Sequence, residues 1–270
     1  MGSEGSKSET VDFESFLESL DIPESCLLGK PIYKKAFQDN GVLDGADKTA
    51  LKDDVERVRW LYTLKPSTIN IAPYTDEERE YPEVAILHVS LASDKRLKRI
   101  AHFINRSIPY PLIILFTVLG EDGESLSVSL ADKRNSQSDK DKWVIEDSLD
   151  TPLISLSPEG RSLVQESFLS SLKFSSLPYT NFYSFYKAVI ERVVALNCSA
   201  LTDEFSLGSD TGNSGGVDRL AVLKGIETLE AEKSVITNRL KKEKQMGKQV
   251  ELNTNIKKIN DKVTALKSSL

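Results

Sequence analysis

The chain has 270 residues, enough for one large domain or two modest ones, and a folded chain of this length buries about three quarters of its unfolded surface. Its 35 lysines and arginines against 41 aspartates and glutamates give a net charge of −6, which excludes a protein whose whole surface binds nucleic acid. Two cysteines, Cys26 and Cys198, exclude a disulfide framework and a cysteine-built zinc site.

The compartment can be predicted from two further features. The longest apolar run, residues 112–119, is much shorter than the roughly 20 residues that a membrane-spanning helix needs. Residues 1–9 lack the basic start and the apolar stretch of a secretory signal. We therefore expect a cytoplasmic protein that does not enter a membrane.

The first third of the chain has mainly helical spacing. Residues 1–10 show no apolar periodicity and predict a disordered leader, after which residues 11–20 have apolar positions three or four apart. Pro31 stands where a first helical residue would, and Asp47 is a candidate N-cap for a longer helix that ends at Pro66. An α+β body is expected to span residues 11–200.

The middle of the chain alternates strands with helices. Strand-like patterns cover residues 69–71, 84–89, 112–119, 126–130 and 143–145. Residues 94–107 return to helical spacing between the second and third of these runs, and further helices are expected over residues 158–172 and 181–196. This order predicts a small mixed β-sheet with helices packed against it.

A change of composition marks a boundary near residue 200. Residues 201–217 include four glycines among serine, threonine, aspartate and asparagine, which predicts a flexible linker. A new and regular pattern begins after it, at residue 218.

Residues 218–270 carry apolar side chains at alternating spacings of four and three, which is typical of a coiled-coil seam. The first and second halves are out of phase, and the phase changes within residues 241–250, where Gly247 weakens a helix. This predicts an antiparallel coiled-coil hairpin that turns near residues 245–248, although one continuous helix along a partner would also fit. The candidate partner-binding residues of the seam are Ile226, Leu229, Ile236, Leu240, Leu252, Ile256, Ile259 and Val263.

Charge also separates this segment from the rest of the chain. Residues 217–270 hold 12 lysines and arginines against 7 aspartates and glutamates, a net charge of +5, whereas the remainder carries −11. Such cations either form a solvated surface or contact DNA phosphates or an acidic protein. The candidate nucleic-acid contacts are Lys241, Lys242, Lys244 and Lys248 near the phase change, and Lys95, Lys98, Arg99 and Arg106 along the helix over residues 94–107.

No complete catalytic or metal-binding set is apparent in the sequence, and we expect no cofactor. Residues 76–83 form the densest acidic cluster, just before a strand, as in some metal-dependent nucleases. Such a site also needs a strand lysine two residues after a glutamate, but Glu83 is followed there by Ala85, so that Lys133 would have to reach in from another strand. His88 and His102 lack metal-binding spacing and are interpreted as packed or surface residues.

Several short motifs resemble the bacterial family catalogued as domain of unknown function 4391. They lie at residues 60–62 (WLY), 64–66 (LKP), 69–71 (INI), 76–83 (DEEREYPE), 108–111 (IPYP), 133–134 (KR), 243–245 (EKQ) and 248–253 (KQVELN). The resemblance implies a small companion of helicase and DNA methyltransferase genes in defence or restriction clusters. It implies no particular activity.

The sequence therefore favours a non-enzymatic accessory subunit that docks through its C-terminal hairpin on a larger defence-system protein, a helicase or a DNA methyltransferase. A nucleic-acid-binding or metal-dependent nuclease-like module is one alternative. A homodimer formed by the coiled coil itself is another.

Overall fold

The computed structural model describes residues 13–39, 43–121, 123–136, 143–207 and 218–270. The predicted leader, residues 1–10, and residues 208–217 of the predicted linker lie outside this set. The chain divides into two compact units, residues 1–193 and residues 194–270. Within the described residues, no helix is both long enough and apolar enough to cross a bilayer.

The first unit combines strands and helices, so the α+β class is confirmed. Its strands are β1 (Leu27–Ile32), β2 (Val55–Leu64), β3 (Tyr74–Thr75), β4 (Glu80–Tyr81), β5 (Val84–Leu91), β6 (Leu112–Gly120), β7 (Gly123–Asn135), β8 (Trp143–Asp150) and β9 (Ile154–Ser155). Its helices are α1 (Phe13–Ser19), α2 (Lys34–Asp39), α3 (Gly45–Asp53), α4 (Leu97–Ser107), α5 (Leu163–Ser171) and the larger part of α6 (Phe182–Thr202).

Seven of these strands form one mixed sheet, larger than the small sheet predicted. Its order is β1-β2-β5-β6-β7-β8, with β9 pairing with β7, and β5 and β6 are the only parallel neighbours among the strands of the described residues. That parallel pair is connected by α4, as a parallel pair requires a crossover. The order strand, helix, strand, turn and strand predicted for residues 84–130 is therefore confirmed.

Helices cover both faces of the sheet, because successive side chains of a buried strand point to opposite sides. On one face, Leu87 and Val89 of β5 pack in a cluster with Phe103 and Ile104 of α4. On the other face, Ile86 lines a small apolar cavity together with side chains from α1 and α6. The buried Tyr186 hydroxyl of α6 accepts the N–H of Ala131 at 3.0 Å and lies 2.8 Å from the carbonyl oxygen of Leu112, which fixes α6 to the sheet.

The long helix predicted from Asp47 to Pro66 is wrong. The helix α3 ends at Asp53, and residues 55–64 form β2. Register shifts next to Val55 and after Trp60 interrupt the pairing of β2 with β5, and each extra residue moves the next side chain to the other face. The strand therefore buries every third residue and imitates the spacing of a helix. Asp47 is also the third helical residue rather than the cap, because the Asp44 side chain accepts its N–H at 2.7 Å.

Three smaller expectations also differ. Pro31 lies on the edge strand β1 rather than in a first helical turn, and edge strands tolerate proline because it lacks an N–H. Ile69 and Ile71 are buried but belong to no strand of the described residues. The helix predicted over residues 158–172 begins only at Leu163, after a short 3-10 turn.

The second unit contains the end of α6 and two helices of 22 residues each, α7 (Arg219–Leu240) and α8 (Met246–Lys267). Residues 241–245 connect them, so the turn lies slightly before the predicted position. At 1.5 Å per residue each helix is about 33 Å long. The two helices form a hairpin, as the phase change in the sequence predicted.

Candidate functional site

The turn of the hairpin is closed by its own side chains. The Glu243 carboxylate accepts the backbone N–H groups of Lys244 and Gln245, each at 2.8 Å. These hydrogen bonds, first that of Gln245, lower the pKa of the Glu243 carboxyl group below its usual value. The Gln249 side chain then donates to the Glu243 carbonyl oxygen at 2.7 Å, which ties the first turn of α8 to the connection. The end of the hairpin thus has a defined geometry.

The half of the hairpin away from this turn has a small hydrophobic core. Ile226 of α7 and Ile259 and Val263 of α8 are buried against one another. Half-buried apolar side chains from three helices pack against this cluster: Leu201, Val222, Leu229, Ile236, Leu266 and Leu270. Leu201 comes from the last turn of α6, so three helices contribute here. We call this region the closed half of the hairpin.

Among the described residues, the half next to the turn has no buried cluster of this kind. Leu240, Leu252 and Ile256 are half-buried and do not belong to the cluster. Two helices alone cannot enclose a heptad seam from all sides, so these apolar side chains keep part of their surface in water. We call these three residues the open half of the hairpin.

All eight seam residues selected from the sequence are therefore buried or half-buried in the hairpin. Three of them form its buried core, Leu229 and Ile236 pack against that core, and the other three form the open half. Contact of these residues with a partner stays a prediction. The sequence did not indicate the division into two halves, because the division depends on Leu201. The signal for that residue was the apolar periodicity of α6, which continues beyond the predicted end at residue 196.

The candidate nucleic-acid contacts on the hairpin lie close together at the turn. Lys241, Lys242 and Lys244 belong to the connection, Lys248 belongs to the first turn of α8, and all four are exposed. Large apolar side chains near this end of the hairpin are also exposed, with 52% of Val235, 80% of Met246 and 61% of Val250 accessible to water. The structure thus combines positive charge and apolar surface at one end of the unit.

The candidate contacts on the first unit are placed differently. Lys95 precedes α4, whereas Lys98, Arg99 and Arg106 lie on the exposed side of that helix. The Arg99 guanidinium lies 2.8 Å from the carboxylate of Asp47, so part of its charge is neutralised within the protein. An open cleft of about 520 Å³ lies beside the start of the helix and is lined by residues 94–99, Ser127, Asp150, Thr151 and Leu153.

The acidic cluster of residues 76–83 is engaged in structural contacts. A hydrogen bond from the Tyr74 hydroxyl lowers the pKa of the Asp76 carboxyl group. The backbone N–H groups of Glu78 and Arg79, which this carboxylate also accepts, lower it further. The Arg79 guanidinium pairs with Glu146 at 2.6 Å and lies 3.6 Å from the buried carboxylate of Asp132. Within the described residues, no three histidine, cysteine, aspartate or glutamate side chains form a group suited to a metal ion.

Lys133, the lysine considered for a nuclease-like site, is almost fully buried. Its ammonium nitrogen donates to the carbonyl oxygens of Ile108 and Tyr110, both at 2.7 Å, and lies 4.6 Å from the centre of the Trp143 ring. Burial lowers its pKa to about 7. Lys133 and Glu80 line the same cleft of about 150 Å³. The amine nevertheless closes the end of α4 rather than facing a group of carboxylates.

The comparisons with known proteins give one match. No curated protein and no solved structure matches the chain. The family model described as Domain of unknown function (DUF4391) matches residues 20–263, which include the sheet, the covering helices other than α1 and nearly all of the hairpin. The match covers most of the chain, and the protein therefore belongs to the DUF4391 family.

Proposed function

We propose that this protein is a cytoplasmic, non-enzymatic accessory subunit that docks on a larger protein through the open half of its C-terminal hairpin. The partner would be a helicase or a DNA methyltransferase of a bacterial defence or restriction-type system, as the family resemblance implies. The observation that supports the docking role is the uneven core of the hairpin. The closed half has three buried residues and a contribution from a third helix, whereas the three apolar side chains of the open half are partly exposed and do not pack against that buried cluster.

The energetics favour a partner at the open half. Burial of an apolar surface contributes about 25 cal/mol per Å², so covering the exposed part of these three aliphatic side chains would contribute on the order of a few kcal/mol. A coiled-coil contact with a further helix would cover them, since a seam of this kind accepts the side chains of a facing helix. Packing of α7 and α8 as a true coiled coil is part of this proposal.

The test uses two matched double variants of the full chain. The open-half variant combines Leu240→Ala with Leu252→Ala and so removes two leucine side chains from the open half. The closed-half variant combines Leu229→Ala with Leu266→Ala and removes two leucine side chains from the closed half. Each variant is co-expressed with a helicase or methyltransferase encoded beside the gene and is then co-purified through a tag on that protein.

We expect the open-half variant to lose co-purification while its helices keep their circular dichroism signal. We expect the closed-half variant to be less stable but to retain co-purification at low temperature. Undiminished co-purification of the open-half variant would refute docking at this surface.

A homodimer formed through the hairpin is the alternative that the same surface allows. The open half of one copy would then cover that of a second copy, and the dimer would dissociate on dilution. Light scattering at two concentrations distinguishes this outcome. Without another protein, only a homodimer gives a mass near 60 kDa, which is twice the 30.0 kDa of one chain. The open-half variant would then have the mass of a single chain.

A metal-dependent nuclease is the second alternative, and the shared cleft of Glu80 and Lys133 is the feature that favours it. Incubation with duplex DNA and Mg²⁺ or Mn²⁺ tests this function directly. Cleavage that is lost in Glu80→Gln or Glu83→Ala would replace the docking proposal with an enzymatic one.

A further inference from the structure

The turn of the hairpin bears an unusual concentration of positive charge. Residues 241–250 contain four lysines and one acidic residue, and this segment belongs to a chain whose net charge is negative. All four lysines are exposed. We call these lysines, together with Met246 and Gly247, the basic tip.

The one acidic residue of the segment offsets only one of its four positive charges. Glu243 is directed at the backbone, where its carboxylate accepts two N–H groups of the turn. The hydrogen bond from the Gln245 backbone is the main cause that lowers the pKa of Glu243, and the charge of Lys248 acts in the same direction. The basic tip therefore has a net charge of +3, and its turn has a defined geometry.

The residue types of the tip indicate which partner it suits. Protein-binding surfaces are enriched in tyrosine, tryptophan and arginine and are depleted in lysine, which is the main component here. Residues 241–250 contain no aromatic side chain, so they offer neither a platform for stacking of unpaired bases nor the aromatic anchors of membrane-surface helices. Lysine is a compact point charge that contacts phosphate without a fixed geometry.

Gly247 leaves the backbone of the first turn of α8 uncovered. The φ angle of Gly247 is not in the left-handed region. A Cβ atom at this position, as in alanine, would have no other atom within 4 Å. Neither the conformation nor the packing of α8 therefore requires glycine, which destabilises a helix relative to alanine. Glycine does allow the backbone of a helix to approach a ligand closely.

We propose that the basic tip binds the phosphate backbone of double-stranded nucleic acid without reading its sequence. The proposal goes beyond docking on a protein and needs no partner, because the tip and the open half use different side chains. Each lysine that neutralises a phosphate releases counterions, so the affinity should fall steeply as salt is added.

The test measures fluorescence anisotropy of a labelled 30-base-pair duplex with the full chain at 25 to 200 mM KCl. The tip variant combines Lys241→Gln, Lys242→Gln, Lys244→Gln and Lys248→Gln. The control variant combines Lys257→Gln, Lys258→Gln, Lys262→Gln and Lys267→Gln, which removes four exposed lysines from α8 far from the turn and changes the net charge equally.

We expect the tip variant to bind at least tenfold more weakly at 50 mM KCl, and the slope of log affinity against log salt to fall by about 3 in magnitude. The control variant should change the affinity less than threefold. Equal weakening in the two variants would overturn the proposal, because only net charge would then matter. No binding by the unmodified chain, or tighter binding to anionic phosphatidylserine vesicles than to the duplex, would overturn it as well.

The outcome is separate from that of the docking test. The open-half variant keeps every lysine of the tip and should bind the duplex as the unmodified chain does. Loss of co-purification together with retained duplex binding would therefore support both proposals independently.

Discussion

A buried histidine makes the stability of the first unit depend on pH. The His88 side chain is 8% exposed, stacks on the Phe13 ring with 3.9 Å between the ring centres, and lies 2.9 Å from the Thr117 hydroxyl. Burial lowers its pKa to about 4, and the charges of Arg59 and Arg57 act in the same direction. The folded protein therefore keeps this imidazole neutral at a pH where the unfolded chain protonates it.

The size of the effect follows from the two pKa values. An unfolded histidine has a pKa of about 6.5, so the unfolded chain binds one more proton than the native chain between pH 6.5 and pH 4. The contribution is complete above pH 6.5 and is lost as the pH falls through this window. At pH 4.5 the free energy of unfolding should have decreased by about 2.5 kcal/mol because of His88 alone.

The chain contains its own control, since its second histidine, His102, is exposed on α4. Urea unfolding is followed by the fluorescence of Trp60 and Trp143, both in the first unit, at pH 7.0 and pH 4.5. The free energy of unfolding should fall between pH 7.0 and pH 4.5, and in His88→Gln this fall should be smaller by about 2.5 kcal/mol than in the unmodified chain. In His102→Gln the fall should equal that of the unmodified chain. An undiminished fall in His88→Gln would refute the assignment of acid sensitivity to this residue.

Three further outcomes are expected. Ile259→Ala in the core of the hairpin should accelerate hydrogen exchange of α8 by a factor corresponding to about 2 to 4 kcal/mol. Ile256→Ala in the open half should cost only about 1 kcal/mol, and equal effects would contradict the division of the hairpin. Tyr186→Phe should lower the free energy of unfolding by about 1 to 3 kcal/mol, because it removes the hydroxyl that hydrogen-bonds to the buried backbone. Tyr33 is exposed, so Tyr33→Phe should change the free energy of unfolding by less than about 0.5 kcal/mol. Gly247→Ala should stabilise α8 by up to about 1 kcal/mol, and a loss of stability measured by exchange would show that the glycine is needed for packing.

The sequence was most informative where the periodicity was uninterrupted. The run over residues 84–89, the amphipathic helix after it and the strands at 112–119 and 126–130 were all predicted, because each buries one face or both faces with a regular spacing. The hairpin was predicted for the same reason, since its heptad spacing persists for about five helical turns on each side of the phase change.

The prediction from the sequence was wrong where the burial pattern of a strand, β2, resembles that of a helix. The bulges of β2 place Val58, Leu61 and Leu64 three residues apart in the core, and such spacing alone cannot be distinguished from that of a helix. This segment also contains aromatic and β-branched residues, such as Trp60 and Tyr62, which favour a strand. The helical spacing of its apolar residues indicated the opposite.

The candidate site was predictable only in part. A heptad pattern shows which side chains form a seam, but not which helix covers it, and Leu201 is remote in sequence from most of the cluster that it joins. The hydrogen bonds of Glu243 likewise depend on the geometry of the turn. The division into a closed half, an open half and a basic tip therefore required the three-dimensional structure.

The most direct test of the docking account is a hydrogen-exchange footprint of the full chain with and without the co-purified helicase or methyltransferase. The account predicts new protection in peptides that contain Leu240, Leu252 and Ile256, and little change in those that contain Ile226 and Val263, which are already buried. Protection confined to the first unit, with both helices of the hairpin exchanging as in the free protein, would contradict it.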